Sequence, residues 1–134
     1  MVETQLAGKL DLTAPEGQLP MAGLRVLEFS QAVAAPIVGE VLATHGAQVI
    51  LVENESYARG GTHSREPGQG TSDQASVNQG TQFNKFNVSK LSLTLDLSRP
   101  EAIRIVKRLV QTTDIVVSNY RPGVLERWGL GYQN

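Results

Sequence analysis

The sequence contains no cysteine, so it has no disulfide, no thiolate metal site and no cysteine nucleophile to offer. It has little charge of either sign to spare: 12 Lys and Arg against 13 Asp and Glu leave a formal net charge of −1. Without a basic field nothing recommends nucleic acid as a partner, and without a charged tail nothing recommends an electrostatic docking partner. No apolar run approaches the roughly 20 residues that a membrane-spanning helix requires. The opening MVETQLAGKLDLTAPEGQLP lacks the basic segment and the continuous apolar segment of a secretion signal. Histidine is scarce too: His45 and His63 are the two, with no partner spacing for zinc or a catalytic triad. These absences lead to the expectation of a soluble, cytoplasmic chain without a metal, a membrane segment or a nucleic-acid partner.

What is present suits a globular fold. The 134 residues are 40% hydrophobic and 19% charged, enough for one domain with a core. Residues 1–20 read as a flexible extension and 21–134 as the folded part. RVLEFS (25–30) is a short apolar strand, and QAVAAPIVGEVLATHG (31–46) turns helical, with Pro36 in the first turn and Gly46 as the stop. Val38, Val41, Leu42 and His45 share one side of that helix. AQVILVE (47–53) is a second strand, apolar enough to be covered on both faces. Strand, helix, strand in this order is a βαβ unit and implies a parallel sheet. Residues 54–80 have almost nothing to bury and read as a long loop. A second round follows: a strand SLTLDL (92–97), a capping box Ser98-Arg99-Pro100-Glu101, a helix EAIRIVKRLVQTT (101–113) and a buried strand DIVVSNY (114–120). The expected fold is therefore α/β, a Rossmann-like, open and mainly parallel sheet with flanking helices.

In such sheets ligands sit beyond the carboxyl ends of the strands. Three segments qualify: Ser30 to Pro36, Glu53 to Asn54, and Asn119 to Arg121. Glu53 stands where a carboxylate binds an adenosine ribose in NAD enzymes, but the turn QAVAAP carries no G-x-G-x-x-G, and a Cβ there holds a pyrophosphate away. The small residues Ala32, Ala34, Ala35 and Gly39 suit tight helix–sheet packing, and the same small surface would let a ligand lie along the backbone. Arg121 and Arg127 bracket a Pro-Gly turn directly after a strand, where both could reach an anion.

Four segments, GLRVLEFSQAVAAP (23–36), HGAQVILVE (45–53), NVSKLSLTLDLSRPEA (87–102) and DIVVSNYRPGVLERWGLGY (114–132), resemble the N-terminal part of the class III CoA-transferases. That family includes the formyl-CoA and carnitine-type transferases, with alpha-methylacyl-CoA racemases as relatives. The resemblance covers nearly all of the chain after residue 21, and the asparagine–aromatic–x-Pro-Gly run is its most specific piece. It implies that the chain is an incomplete N-terminal portion of a larger coenzyme A-binding domain. The full-length protein would move coenzyme A between an acyl-CoA and a carboxylic acid, and would form an interlocked homodimer. Carried over position by position, contacts with coenzyme A fall on Val33 and Ala34, on Leu95, Asp96, Leu97 and Ser98, on Asn119, Tyr120 and Arg121, and on Arg127. Two positions depart from the family: Leu51 replaces a usual lysine, and Asn54 a common basic residue. The nucleophilic aspartate of the family matches no residue of this chain; Asp96 and Asp114 read as structural. A non-catalytic coenzyme A- or nucleotide-binding module, an inactive fragment and an acyl-CoA racemase relative remain the alternatives.

Overall fold

The computed structural model describes residues 18–54 and 81–133. Residues 1–17 of the expected flexible extension, most of the long loop and His63 lie outside these residues. The elements run β1 (Arg25–Phe29), α1 (Ala34–Thr44), β2 (Gln48–Glu53), α2 (Thr81–Phe86), β3 (Leu91–Thr94), α3 (Pro100–Val110), β4 (Ile115–Ser118) and α4 (Val124–Arg127). The four strands form one all-parallel sheet in the order β3-β2-β1-β4. The chain thus builds outward from β1 through β2 to β3, then crosses to the other side of β1. That reversal makes the boundary between β1 and β4 the switch point of the sheet.

Alternation along β1 divides the core in two. Val26 joins Ala43, Ala47 and Val49 on the α1 side. Leu27 and Phe29 join Val52, Leu97, Ala102 and Val106 on the α3 side. Gly46, at φ +104°, ends α1 in a Schellman motif: the Ala47 N–H donates to the Leu42 carbonyl and the Gly46 N–H to the Ala43 carbonyl, both at 3.0 Å.

Several local expectations are corrected. The buried face of α1 is Ala35, Pro36, Gly39 and Ala43, while Val38 and Val41 are each 47% exposed and His45 faces outward. The helix lies so close to the sheet that only small residues fit. Tight packing therefore accounts for Ala35 and Gly39 but not for the exposed Ala32 and Ala34. β3 leaves the ladder after Thr94, although the Leu95 N–H still reaches the Glu53 carbonyl at 2.7 Å. The capping box does not form. Arg99 is the N-cap of α3, Ser98 turns back to Asp96, and Glu101 pairs with Arg104 at 3.1 Å. The helix begins at Pro100, whose missing N–H would have had no partner in a first turn. β4 is an outer strand among the described residues rather than a buried one: Ile115 and Val117 pack toward α1, and Val116 is 48% exposed.

Candidate functional site

Just beyond the paired ends of β1 and β4, one side chain bridges the two segments. Oδ1 of Asn119 accepts from the Gln31 N–H at 2.9 Å, and Nδ2 of Asn119 donates to the Gln31 carbonyl at 2.5 Å. The amide takes the place of a neighbouring strand's peptide and carries the pairing of β1 and β4 one step beyond Phe29↔Ser118. The next residue, Ala32, sits at φ +60°. This left-handed conformation costs a residue with a Cβ roughly 1–2 kcal/mol. After it come Val33, the N-cap of α1 without a side-chain cap bond, and Ala34, its first residue, both exposed. The first-turn amides of a helix have no helical acceptors and carry the positive end of the dipole.

The segment after β4 supplies an aromatic wall and two cations. The Tyr120 and Trp128 rings meet edge to face, with centroids 5.5 Å apart. Both pack on the cluster that contains Phe29 and Leu97, so the ends of β1, β3 and β4 share one apolar base. Gly123, at φ +83°, turns the chain into α4, and a Cβ at that position would lie 4.0 Å from Nη1 of Arg127. The guanidinium groups of Arg121 and Arg127 are exposed and make no hydrogen bond or ion pair to another described residue.

At the β3 end, Asp96 forms an Asx turn. Its Oδ1 accepts from the Ser98 N–H at 3.1 Å and from the Ser98 hydroxyl at 2.7 Å, and its Oδ2 from Nε of Arg99 at 3.2 Å. These bonds, those from Ser98 foremost, hold the Asp96 carboxyl below its ordinary range. Leu95 is half-buried, and the Leu97 side chain belongs to the core, so a ligand contact from Leu97 would come from its main chain. Asp114 accepts the Arg25 N–H at 2.8 Å, and Glu53 accepts the Ser92 hydroxyl at 2.5 Å. His45 turns Nδ1 to the Val41 carbonyl at 2.6 Å.

The most deeply placed polar group, Glu28, is one that sequence reasoning missed. Its side chain is fully buried under α1, with Lys90 beside it. Lys90 Nζ donates to Glu28 Oε1 at 3.0 Å, to the Pro36 carbonyl at 2.9 Å and to Asn87 Oδ1 at 3.0 Å. The Ser30 hydroxyl also donates to Oε1. Oε2 lies 2.9 Å from Nζ but accepts no directed hydrogen bond, and it faces Gly39, where a Cβ would come within 1.7 Å. Burial pushes the Glu28 carboxyl up and the Lys90 ammonium down, each opposed by the other. The signal was present in RVLEF, because a carboxylate inside an otherwise apolar strand requires a partner. The structure thus joins Val33 and Ala34 to Asn119 through Gln31, and joins Leu95 and Leu97 to Tyr120 through the shared core.

An all-parallel sheet with helices packed on both faces and a switch point between β1 and β4 defines an open α/β protein. The chain belongs to CoA-transferase family III, whose family model matches residues 21–134. It is 37% identical over 116 residues to the succinyl-CoA–L-malate CoA-transferase beta subunit of Chloroflexus aurantiacus, covering 85% of this chain and 26% of that protein. It is 34% identical over 122 residues to the succinate–glutarate CoA-transferase of Agrobacterium fabrum, covering 90% of this chain and 30% of that one. Among solved structures it superimposes on Rv3272 of Mycobacterium tuberculosis with a TM-score of 0.69 and 38% identity, over 87% of this chain and 31% of that one. A CAIB/BAIF family protein from Brucella suis gives a TM-score of 0.67 at 32% identity, over 87% and 30%. The chain therefore spans less than a third of the length of these relatives.

Proposed function

We propose that this chain forms the coenzyme A-binding part of an enzyme that moves coenzyme A between an acyl-CoA and a carboxylic acid. The observation that carries the reading is the Gln31–Asn119 contact at the switch point, which brings the segment leading into α1 next to the one that continues to Arg121 and Arg127. Coenzyme A offers phosphates for the two guanidinium groups and for the first-turn amides of α1, in charge-assisted hydrogen bonds. Val33 and Ala34 would lie along the ligand, Tyr120 would face it, and Leu95 to Ser98 would border it at the β3 end. In the complete enzyme a carboxylate attacks the thioester carbonyl carbon, the coenzyme A thiolate leaves, and a mixed anhydride forms. The full-length protein on this reading is a cytoplasmic homodimer.

A second reading, a binding module without turnover of its own, is favoured by the state of the strand-end carboxylates. Asp96, Asp114 and Glu53 each accept hydrogen bonds from their neighbours, and Glu28 is buried. None of the four is presented to a thioester. For the 134 residues by themselves we therefore expect binding without transfer. Calorimetric titration with coenzyme A and with NAD, followed by incubation with acyl-CoA, acceptor carboxylate and hydroxylamine, tests both readings. Coenzyme A binding in preference to NAD, with no acyl hydroxamate, is the expected result. Preference for NAD would overturn the ligand, and hydroxamate formation would overturn the absence of a nucleophile.

A further inference from the structure

We propose that Lys90 is a positioning residue for the ligand: buried beside Glu28, it holds the loop between β1 and α1 in its binding shape without touching what binds there. The inference rests on the coenzyme A reading of the switch point. Burial keeps the pair from the ligand, since the side chains of Lys90 and Glu28 are 2% and 0% exposed. The ammonium has three N–H donors, and Glu28 Oε1, the Pro36 carbonyl and Asn87 Oδ1 take one each. None remains for a phosphate.

The bond to Pro36, 54 positions away in sequence, is the one that reaches the loop. The Pro36 carbonyl and the Ile37 N–H belong to one planar peptide group. Lys90 holds the oxygen of that plane at 2.9 Å, and the N–H donates to the Val33 carbonyl at 3.0 Å. Fixing the plane therefore fixes Val33, the N-cap of α1. A donor on the carbonyl also polarises the amide, which strengthens the bond to Val33. The other end of the loop returns to the same pair: the Ser30 hydroxyl donates to Glu28 Oε1, the oxygen that also accepts from Lys90. Gln31 and Ala32 are thus spanned between two anchors on one buried ion pair. Ala32, at φ +60°, needs them, because a strained backbone persists only where its surroundings determine it more than once.

The test measures coenzyme A affinity, unliganded Tm and amide NMR on the full 134-residue chain. In Glu28→Leu with Lys90→Met the space of the pair stays filled while both anchors go, which separates stability from loop shape. We expect a Tm close to wild type and a roughly tenfold or greater loss of affinity, the scale of one or two hydrogen bonds. We also expect displaced resonances and faster hydrogen exchange at Ala32, Val33 and Ile37 before any ligand is added. Glu28→Gln with Lys90→Met takes its place if that variant does not fold, with the same loss of affinity and the same displacement at Val33 and Ile37. Unchanged affinity would overturn the proposal. So would lost affinity with unmoved loop resonances, since the effect on the ligand would then not pass through the loop. Resonances displaced throughout β1 and β2, together with a lowered Tm, would reduce the pair to support of the fold and overturn it as well. Should the wild-type chain not bind coenzyme A, it is the coenzyme A reading that fails; the loop resonances then decide the role of Lys90, and unmoved ones would overturn it.

Discussion

At the scale of single residues, the Glu28–Lys90 pair shows how little a buried ion pair owes to its charges. Burial raises the Glu28 carboxyl above 4.5 and lowers the Lys90 ammonium below 10.5, so for each group the folded protein favours the neutral form. Stability from the Glu28 shift is present below its unfolded value and lost as pH rises through the folded one. Stability from the Lys90 shift is present above its unfolded value and lost as pH falls through the folded one. The pair is held in place by hydrogen bonds as well as by charge: Ser30 donates to Glu28, and Lys90 donates to Glu28, the Pro36 carbonyl and Asn87. Breaking one side of such a pair costs about 3–5 kcal/mol, whereas replacing both by apolar groups is often neutral. Chemical denaturation at pH 7 should therefore find Glu28→Gln strongly destabilised and the double variant Glu28→Leu with Lys90→Met close to wild type. A double variant as unstable as the single one would show that the charges themselves hold α1 to the sheet.

Helix α1 is where the sequence and the fold part company at the scale of elements. The βαβ order, the glycine stop at Gly46 and the first-turn Pro36 follow from local chemistry, and all three are found in the structure. The inward face could not be read in the same way, because periodicity nominates the valines and nothing local states how near the sheet will lie. The distance is set by Glu28 on the preceding strand, whose Oε2 occupies the space a Cβ at Gly39 would need. The site divides along the same line. Asn119 and the two arginines were visible from their run of neighbours, whereas Gln31 as the partner of Asn119 was not, since the sheet order brings them together. The capping box failed because the Asp96 carboxylate offers Ser98 a nearer acceptor than the helix offers it a donor. Gly39→Ala puts the account of α1 to the test. In an exposed helix interior the change from Gly to Ala stabilises by roughly 1 kcal/mol. Here the expected sign is reversed, with a loss of about 1–3 kcal/mol from overpacking against a pinned carboxylate. A rise in Tm for this variant would mean that Glu28 yields freely and that α1 does not depend on the close approach.

For the molecule as a whole, the switch point divides the sheet into β3-β2-β1 on one side and β4 with its following segment on the other. Parallel pairing along four positions, from Val26↔Ile115 to Phe29↔Ser118, and the Gln31–Asn119 contact join the two parts, and β4 meets no further strand among the described residues. A ligand that touches the start of α1 and also Arg121 and Arg127 adds a second tie across the same division. Anything that binds the folded chain alone stabilises it by mass action, about 2.7 kcal/mol at a hundred times Kd. For a domain of this size that amounts to a rise in Tm of roughly several degrees, growing with the logarithm of ligand concentration. Coenzyme A should produce this rise in differential scanning calorimetry of the wild-type chain. Arg121→Ala and Arg127→Ala should keep the unliganded Tm, because both side chains are exposed and make no hydrogen bond or ion pair to another described residue. At a fixed coenzyme A concentration each should show a smaller rise. Variants with an unaltered ligand-induced rise would remove the arginines from the site, whereas variants with a lowered unliganded Tm would show that the guanidinium groups serve the fold instead of the ligand.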